Sequence, residues 1–209
     1  NGLPLDHSKV LDAKVTISAE YAAAVEELKS NDYVKLAVRQ LQYNASESYN
    51  ATHKVKQKTM ADFNDLEFNP NSSNQLRILL FEIMDYEPIE FTPTKAPKTS
   101  RDIIEEYLES ESELTKIKAL ESLVKISQTA IIITTFLEAF DTLWHDVDDE
   151  TLGLLYGNQR LGGTLSGRLS SNSPNFANMP SNGGFSKPIK ACFQAPEGFL
   201  FAGSDFGAL

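Results

Sequence analysis

Two stretches of the 209-residue chain gather side chains suited to a polyanionic substrate. SGRLSSNSPNFANMP sets the guanidinium of Arg168 ahead of two amides, Asn175 and Asn178, and GSDFGAL carries one carboxylate, Asp205. Arg and Asn donate hydrogen bonds, and the minor-groove edges of base pairs display mainly acceptors whatever their sequence. Such donors can inspect a duplex without reading its sequence. An aspartate at a strand end is suited to hold Mg²⁺ beside a triphosphate. Taken singly, each has a plainer role: Arg168 a surface cation, the asparagines turn formers, Asp205 a strand-terminal cap.

Other motif matches fall away on their chemistry. GNQRLGGT, from Gly157, has Gly163 where a phosphate-binding loop needs its lysine, and strand-like sequence where that loop needs a helix. SDFG resembles the magnesium-binding motif of a kinase but lacks the upstream glycine-rich loop, strand lysine and catalytic loop. HDVDDE lacks the alternating acids and central glycine of a calcium loop. HKVKQK sets Lys54, Lys56 and Lys58 at alternate positions, a solvated loop or, alternatively, one that touches phosphates.

The elements that position these residues are helical first and strand-like later. Ile17, Tyr21, Val25, Leu28, Leu36 and Leu41 recur at helical spacing, predicting a helix over 17–43 with Ser18 as its cap. The Asn/Ser-rich stretch 44–52 is expected to end it, because those side chains compete for backbone hydrogen bonds. A second helix begins at Asn71 or Ser72, with Leu76, Leu79, Leu80 and Ile83 on its apolar face and Pro88 beyond it. The proline-rich segment after it reads as an extended, stiff linker, and Ser100 as the cap of a short helix. Apolar residues from Leu114 to Trp144 predict a helical arm of roughly 45 Å. After Thr151 the sequence turns to short strand-like pieces, LGLLYG, GTLSGRLS, ACFQA and FLFAGSDF, separated by Gly, Pro and Asn. The chain therefore divides into a helical half, 1–150, and a sheet-building half, 151–209.

Composition bounds the alternatives. With 41% apolar and 23% charged residues the chain can fill a core, and wholesale disorder is excluded. A single cysteine, Cys192, excludes a disulfide framework and suits a reducing cytoplasm. Apolar runs are only a few residues long, so no membrane-spanning helix is expected. The net charge of −10 argues against nucleic-acid binding until its distribution is seen. Residues 101–150 hold 4 basic and 13 acidic side chains, whereas 151–209 hold 4 and 2. The acidity belongs to the middle of the chain, away from Arg168 and Asp205.

Together the stretches resemble family A (polymerase-I-like) DNA polymerases, whose palm begins with TGRLSSxxPNLQNIP and reaches xxxAPEGxxxxxxDYSxxE. This chain has SGRLSSNSPNFANMP and FQAPEGFLFAGSDFGAL. Upstream, NGLPLD, FNPNSSNQLRILLFE, KTSRDIIEEYL and LESLVKISQT are similar to family segments in the same order. GTLSGRLSS and SKPIKACF look more like bacteriophage-type members than bacterial ones.

The resemblance implies an α+β fold: a long-helix thumb over 1–150, then the first strands of an antiparallel palm sheet over 151–209. It implies template-directed transfer of nucleotides from dNTP to a primer 3′-hydroxyl, with two Mg²⁺ ions as cofactors. Primer-template DNA, dNTP and the remainder of the polymerase chain are the implied partners, with no membrane. Asp205 matches the first metal-binding aspartate, and the backbone carbonyl of Phe206 a further metal ligand. Arg168, Asn175, Asn178, Lys125 and Lys190 match DNA-contacting positions. Ser127 stands where many members have a second lysine near Lys125. The chain opens on NGLPLD without a Met and stops inside an apolar strand. A fragment is therefore expected, inert on its own because the second metal-binding aspartate would lie beyond it. The alternative is a non-catalytic arm, derived from a polymerase, that grips DNA or a protein.

Overall fold

A computed structural model of the chain describes residues 2–146, 152–165, 167, 169–180 and 184–203. The chain forms two compact units: Glu20–Gln128, and Asn1–Ala19 together with Thr129–Leu209. The spatial division thus differs from the compositional one at 150, because the sheet-bearing unit takes in both the first strand and the end of the long helix. The architecture is α+β, with long helices and small antiparallel sheets.

Helix α1 spans His7–Ser30 and α2 spans Asp32–Thr52, so the single helix expected over 17–43 is two longer ones. Ser18 lies inside α1. The break falls at Asn31, whose extended backbone (φ −68°, ψ 138°) leaves the helical region. Its side-chain oxygen accepts from Tyr33 N at 3.0 Å, and its amide donates to the Thr115 carbonyl at 2.8 Å. The 44–52 stretch continues α2 rather than ending it. The hydroxyls of Ser46 and Thr52 donate back to the carbonyls of Tyr43 (2.8 Å) and Tyr49 (3.0 Å), leaving the helical N–H groups unchallenged.

Ser72 caps α3 (Ser73–Arg77), which continues as a π-helical turn, Ile78–Ile83. Leu76, Leu79 and Leu80 are buried as their spacing predicts. The segment expected to be an extended linker folds into a tight loop instead. Lys98 N donates to Glu90 O, Thr92 N donates to Ala96 O, and Lys95 turns the chain at φ 61°. Helix α4 is Arg101–Ser110.

The predicted arm is a continuous 30-residue helix, Leu114–Leu143, made of α5 (Leu114–Ile131), a π-helical turn (Ile132–Leu137) and α6 (Glu138–Leu143). By length and composition this helix is apolar enough to cross a membrane, contrary to the expectation from short apolar runs. The apolar residues that account for this serve two cores. Leu120, Leu123 and Ile126 join the core of the helical unit, while Ile132, Phe136 and Phe140 join that of the sheet-bearing unit.

In the sheet-bearing unit, β1 (Leu3–Asp6), β2 (Trp144–His145) and β3 (Leu152–Leu155) form an antiparallel sheet in the order β1-β3-β2. Leu5 faces Gly153, and Leu3 and Trp144 both face Leu155. A Cβ at Gly153 would overlap the Trp144 indole and the His145 carbonyl, so glycine is what lets β2 close on β3. A second ribbon pairs β4 (Asn158–Arg160) with β5 (Ser170–Asn172). Of the other strand-like pieces, ACFQA contributes only one bridge, Leu5 to Phe193, and 199–203 form no strand. The six residues Ser186–Ala191 form a helix, α7, that the sequence did not predict. Pro188 is tolerated in its first turn, where a backbone N–H would have no helical partner.

Candidate nucleic-acid interface

Asn175 and Asn178 are brought together in one turn. The chain leaves β5 and enters a 3₁₀ turn, Phe176–Asn178, with Asn178 N donating to Asn175 O at 3.2 Å. Ser171 pins this turn from both sides: its hydroxyl donates to Pro174 O and accepts from Phe176 N, each at 3.2 Å. The Phe176 ring meets Phe193 edge-on at 6.4 Å, and Phe193 meets the fully buried Phe140 at 5.3 Å. Gly157 lies beneath the Phe176 ring, where a Cβ would overlap the ring carbons. A half-buried aromatic packed against the core therefore anchors the turn, while Asn178 stays exposed.

Asn175 is half-buried, and its Oδ1 is enclosed without a hydrogen-bond partner among the described residues. An enclosed, unpaired polar atom costs about 1–3 kcal/mol, so it is an uncommon feature in a turn otherwise fully pinned.

Lys190 is exposed in the last turn of α7, which is seated by the buried Ile189 and Cys192. Its carbonyl accepts from Phe193 N at 3.1 Å, which ties the lysine's segment to the ring that contacts Phe176. Burial pushes the Cys192 thiol up to about 11, so it is protonated and unreactive at neutral pH. Lys125 belongs to the other unit. It is exposed on α5 and pairs with Glu20 at 3.3 Å.

Arg168, Asp205 and Phe206 lie outside the described residues. By sequence, Arg168 falls in the connection between β4 and β5, two positions before β5. Among the described residues no three His, Cys, Asp or Glu side chains cluster as metal ligands. Ser171, Phe176, Phe193 and Gly157 escaped the sequence reading. Their roles depend on contacts between separate segments, and only SPNF, with its turn-forming proline, gave a local hint.

A helical unit and a unit of short antiparallel strands, with a 30-residue helix contributing to both, is an architecture shared with a solved polymerase domain. The structure of the POL domain of Pol1 from M. smegmatis, in complex with DNA primer-template and dNTP, matches 95% of this chain and 28% of that one, with a TM-score of 0.67 at 18% identity. The sequence matches DNA polymerase family A over residues 38–209, and the chain belongs to that family. DNA polymerase I of Pseudomonas aeruginosa is 27% identical over 144 residues, which are 68% of this chain and 15% of that protein. The DNA polymerase of Escherichia phage T5 is 30% identical over 173 residues, covering 81% of this chain and 19% of its own length. The chain thus spans less than a fifth of either relative.

Proposed function

We propose that the chain is part of a template-directed DNA polymerase, with a thumb over 1–150 and the beginning of a palm over 151–209. Membership of DNA polymerase family A supports this reading, and the observation that carries it to particular residues is the pinned turn bearing Asn175 and Asn178. In it the Asn178 amide is exposed on a turn held by the Ser171 hydroxyl and the Phe176 ring, as fits a donor offered to the acceptor edges of a duplex.

On this reading Arg168 donates to acceptors in the minor groove near the primer end, steadying the duplex whatever its sequence. Asn175 and Asn178 contact the same duplex, and Lys125 and Lys190 neutralise backbone phosphates. The Asp205 carboxylate and Phe206 carbonyl would hold Mg²⁺. Two such ions, when bound, supply charge stabilisation to the attacking 3′-hydroxyl oxygen and to the leaving pyrophosphate. A single, buried thiol suits the reducing cytoplasm in which such an enzyme would work.

The test is Asp205→Asn in the polymerase that contains these residues. Primer extension should be lost while affinity for primed template stays within about twofold of wild type, since the change removes a metal ligand and leaves the duplex contacts in place. Extension at the wild-type rate would overturn the assignment.

A further inference from the structure

The lysine-rich segment at 53–58 is a built loop. Asn50, on the last turns of α2, closes it with both ends of its amide: Nδ2 donates to Lys58 O at 2.9 Å, and Oδ1 accepts from Lys58 N at 2.8 Å. The Lys58 ammonium lies over two rings, 4.6 Å from the centroid of Tyr49 and 5.2 Å from that of Phe63. The His53 ring stacks on the same Tyr49 at 4.0 Å, with its Nδ1 3.0 Å from the Tyr49 carbonyl oxygen. Residues held in this way have already lost much of the freedom that a loop would surrender on binding.

Beyond a minor pull of Lys56 and Lys58 on the Asp62 carboxyl, the loop's charge is met by no carboxylate among the described residues. Residues 53–57 are exposed, and Val55 between the two lysines is fully so. Lys9, Lys14, Lys29, Lys35, Lys98 and Lys125 each pair with a carboxylate. Lys54 and Lys56 pair with none among the described residues, in a chain that holds 29 acids to 19 bases. Asp62, the nearest acid in sequence, accepts from Thr59 N at 2.8 Å and from its hydroxyl at 3.0 Å.

We infer that this loop is a second contact for the DNA phosphate backbone, made through Lys54 and Lys56 and separate from the turn at 171–178. The inference rests on the reading that the chain binds duplex DNA. Each lysine set against a phosphate releases about one counterion, so the contact should appear in the salt dependence of binding.

The experiment measures affinity of the full chain for a labelled 20-base-pair duplex from 50 to 200 mM salt, for wild type, Lys54→Ala/Lys56→Ala and Lys54→Arg/Lys56→Arg. Circular dichroism of each variant confirms an unchanged fold. The alanine pair should lower the slope of log K against log salt by about 1.8, equivalent to about tenfold less loss of affinity across that range, and the arginine pair should keep the wild-type slope. A wild-type slope in the alanine pair overturns the loop contact and leaves the polymerase reading intact. A wild-type chain that fails to bind the duplex at 50 mM salt overturns the loop contact together with the duplex-binding reading on which it rests.

Discussion

His7 and Trp144 lie face to face, with ring centroids 4.4 Å apart and planes 9° from parallel. Asp141 joins the pair, its Oδ1 2.8 Å from His7 Nε2 and its Oδ2 accepting from Lys14 Nζ at 2.9 Å. One carboxylate thereby ties two positions of α1 to α6 beside the sheet.

This arrangement predicts an acid limb of stability. The hydrogen bond from Lys14, followed by that from His7, holds the Asp141 carboxyl below its ordinary value of 3.8. A depressed carboxyl contributes stability that is complete above the ordinary value and is lost as pH falls through the depressed one. Asp141→Asn should cost about 1 kcal/mol at neutral pH, and its difference from wild type should shrink towards zero in strong acid. Denaturant melts followed by the fluorescence of Trp144, the chain's single tryptophan, measure this directly. A deficit that does not change with pH would exclude a carboxylate role.

Gly157→Ala places a methyl group into the Phe176 ring. The ring is held against Phe193, so the turn it anchors must shift. Thermal unfolding should show a loss of about 1–3 kcal/mol. Duplex affinity should fall together with stability, since Asn175 and Asn178 move with the turn.

Phe140 is fully buried between Phe136 and Phe193. Phe140→Ala should destabilise the chain by about 3–5 kcal/mol. Amide hydrogen exchange should register the loss in β1, β3 and α7, and an effect confined to 20–128 would contradict the two-core arrangement.

Arg168→Ala, in the intact polymerase, should weaken duplex binding by about 1–3 kcal/mol at matched salt. Lys125→Ala should likewise weaken binding to all sequences alike and, as the loss of a phosphate contact, lower the salt slope by about 1. Its loss should leave stability nearly unchanged, because the Glu20 pair is half-exposed. Equal affinities and extension rates for wild type and Arg168→Ala would remove that residue from the interface.

On the proposed assignment these 209 residues hold one of the two metal-binding aspartates. The purified chain should therefore bind primed template without extending it. Extension by a preparation free of host polymerase would show that the chemistry needs fewer groups than the family pattern implies.

Local rules succeeded where the causes were local. The Ser72 cap, the buried face of Leu76, Leu79 and Leu80, and the long helix from Leu114 all follow from spacing and capping within a few residues. The break at Asn31 did not follow, because it draws on the Thr115 carbonyl 84 residues away. Helix α7 escaped for a similar reason: Ile189 and Cys192 supply its burial through tertiary packing, and its six residues show too little period to read. The 88–97 loop misled because prolines announce stiffness and say nothing of the hydrogen bonds that fold the chain back. At the proposed interface, the motif pointed to Asn175 and Asn178, which the fold places in one turn. The supports beneath them, Ser171 and the Gly157–Phe176 contact, come from separate segments and carry no periodic signal.

The pairing of Leu3–Asp6 with Leu152–Leu155 has a consequence for biosynthesis. Residues 20–128 are contiguous and can fold as soon as they clear the ribosome, whereas β1 waits for a partner made almost 150 residues later. A nascent chain arrested once residue 128 has just emerged from the ribosome should therefore carry a protease-resistant helical bundle behind a leading strand that is still open to chaperones.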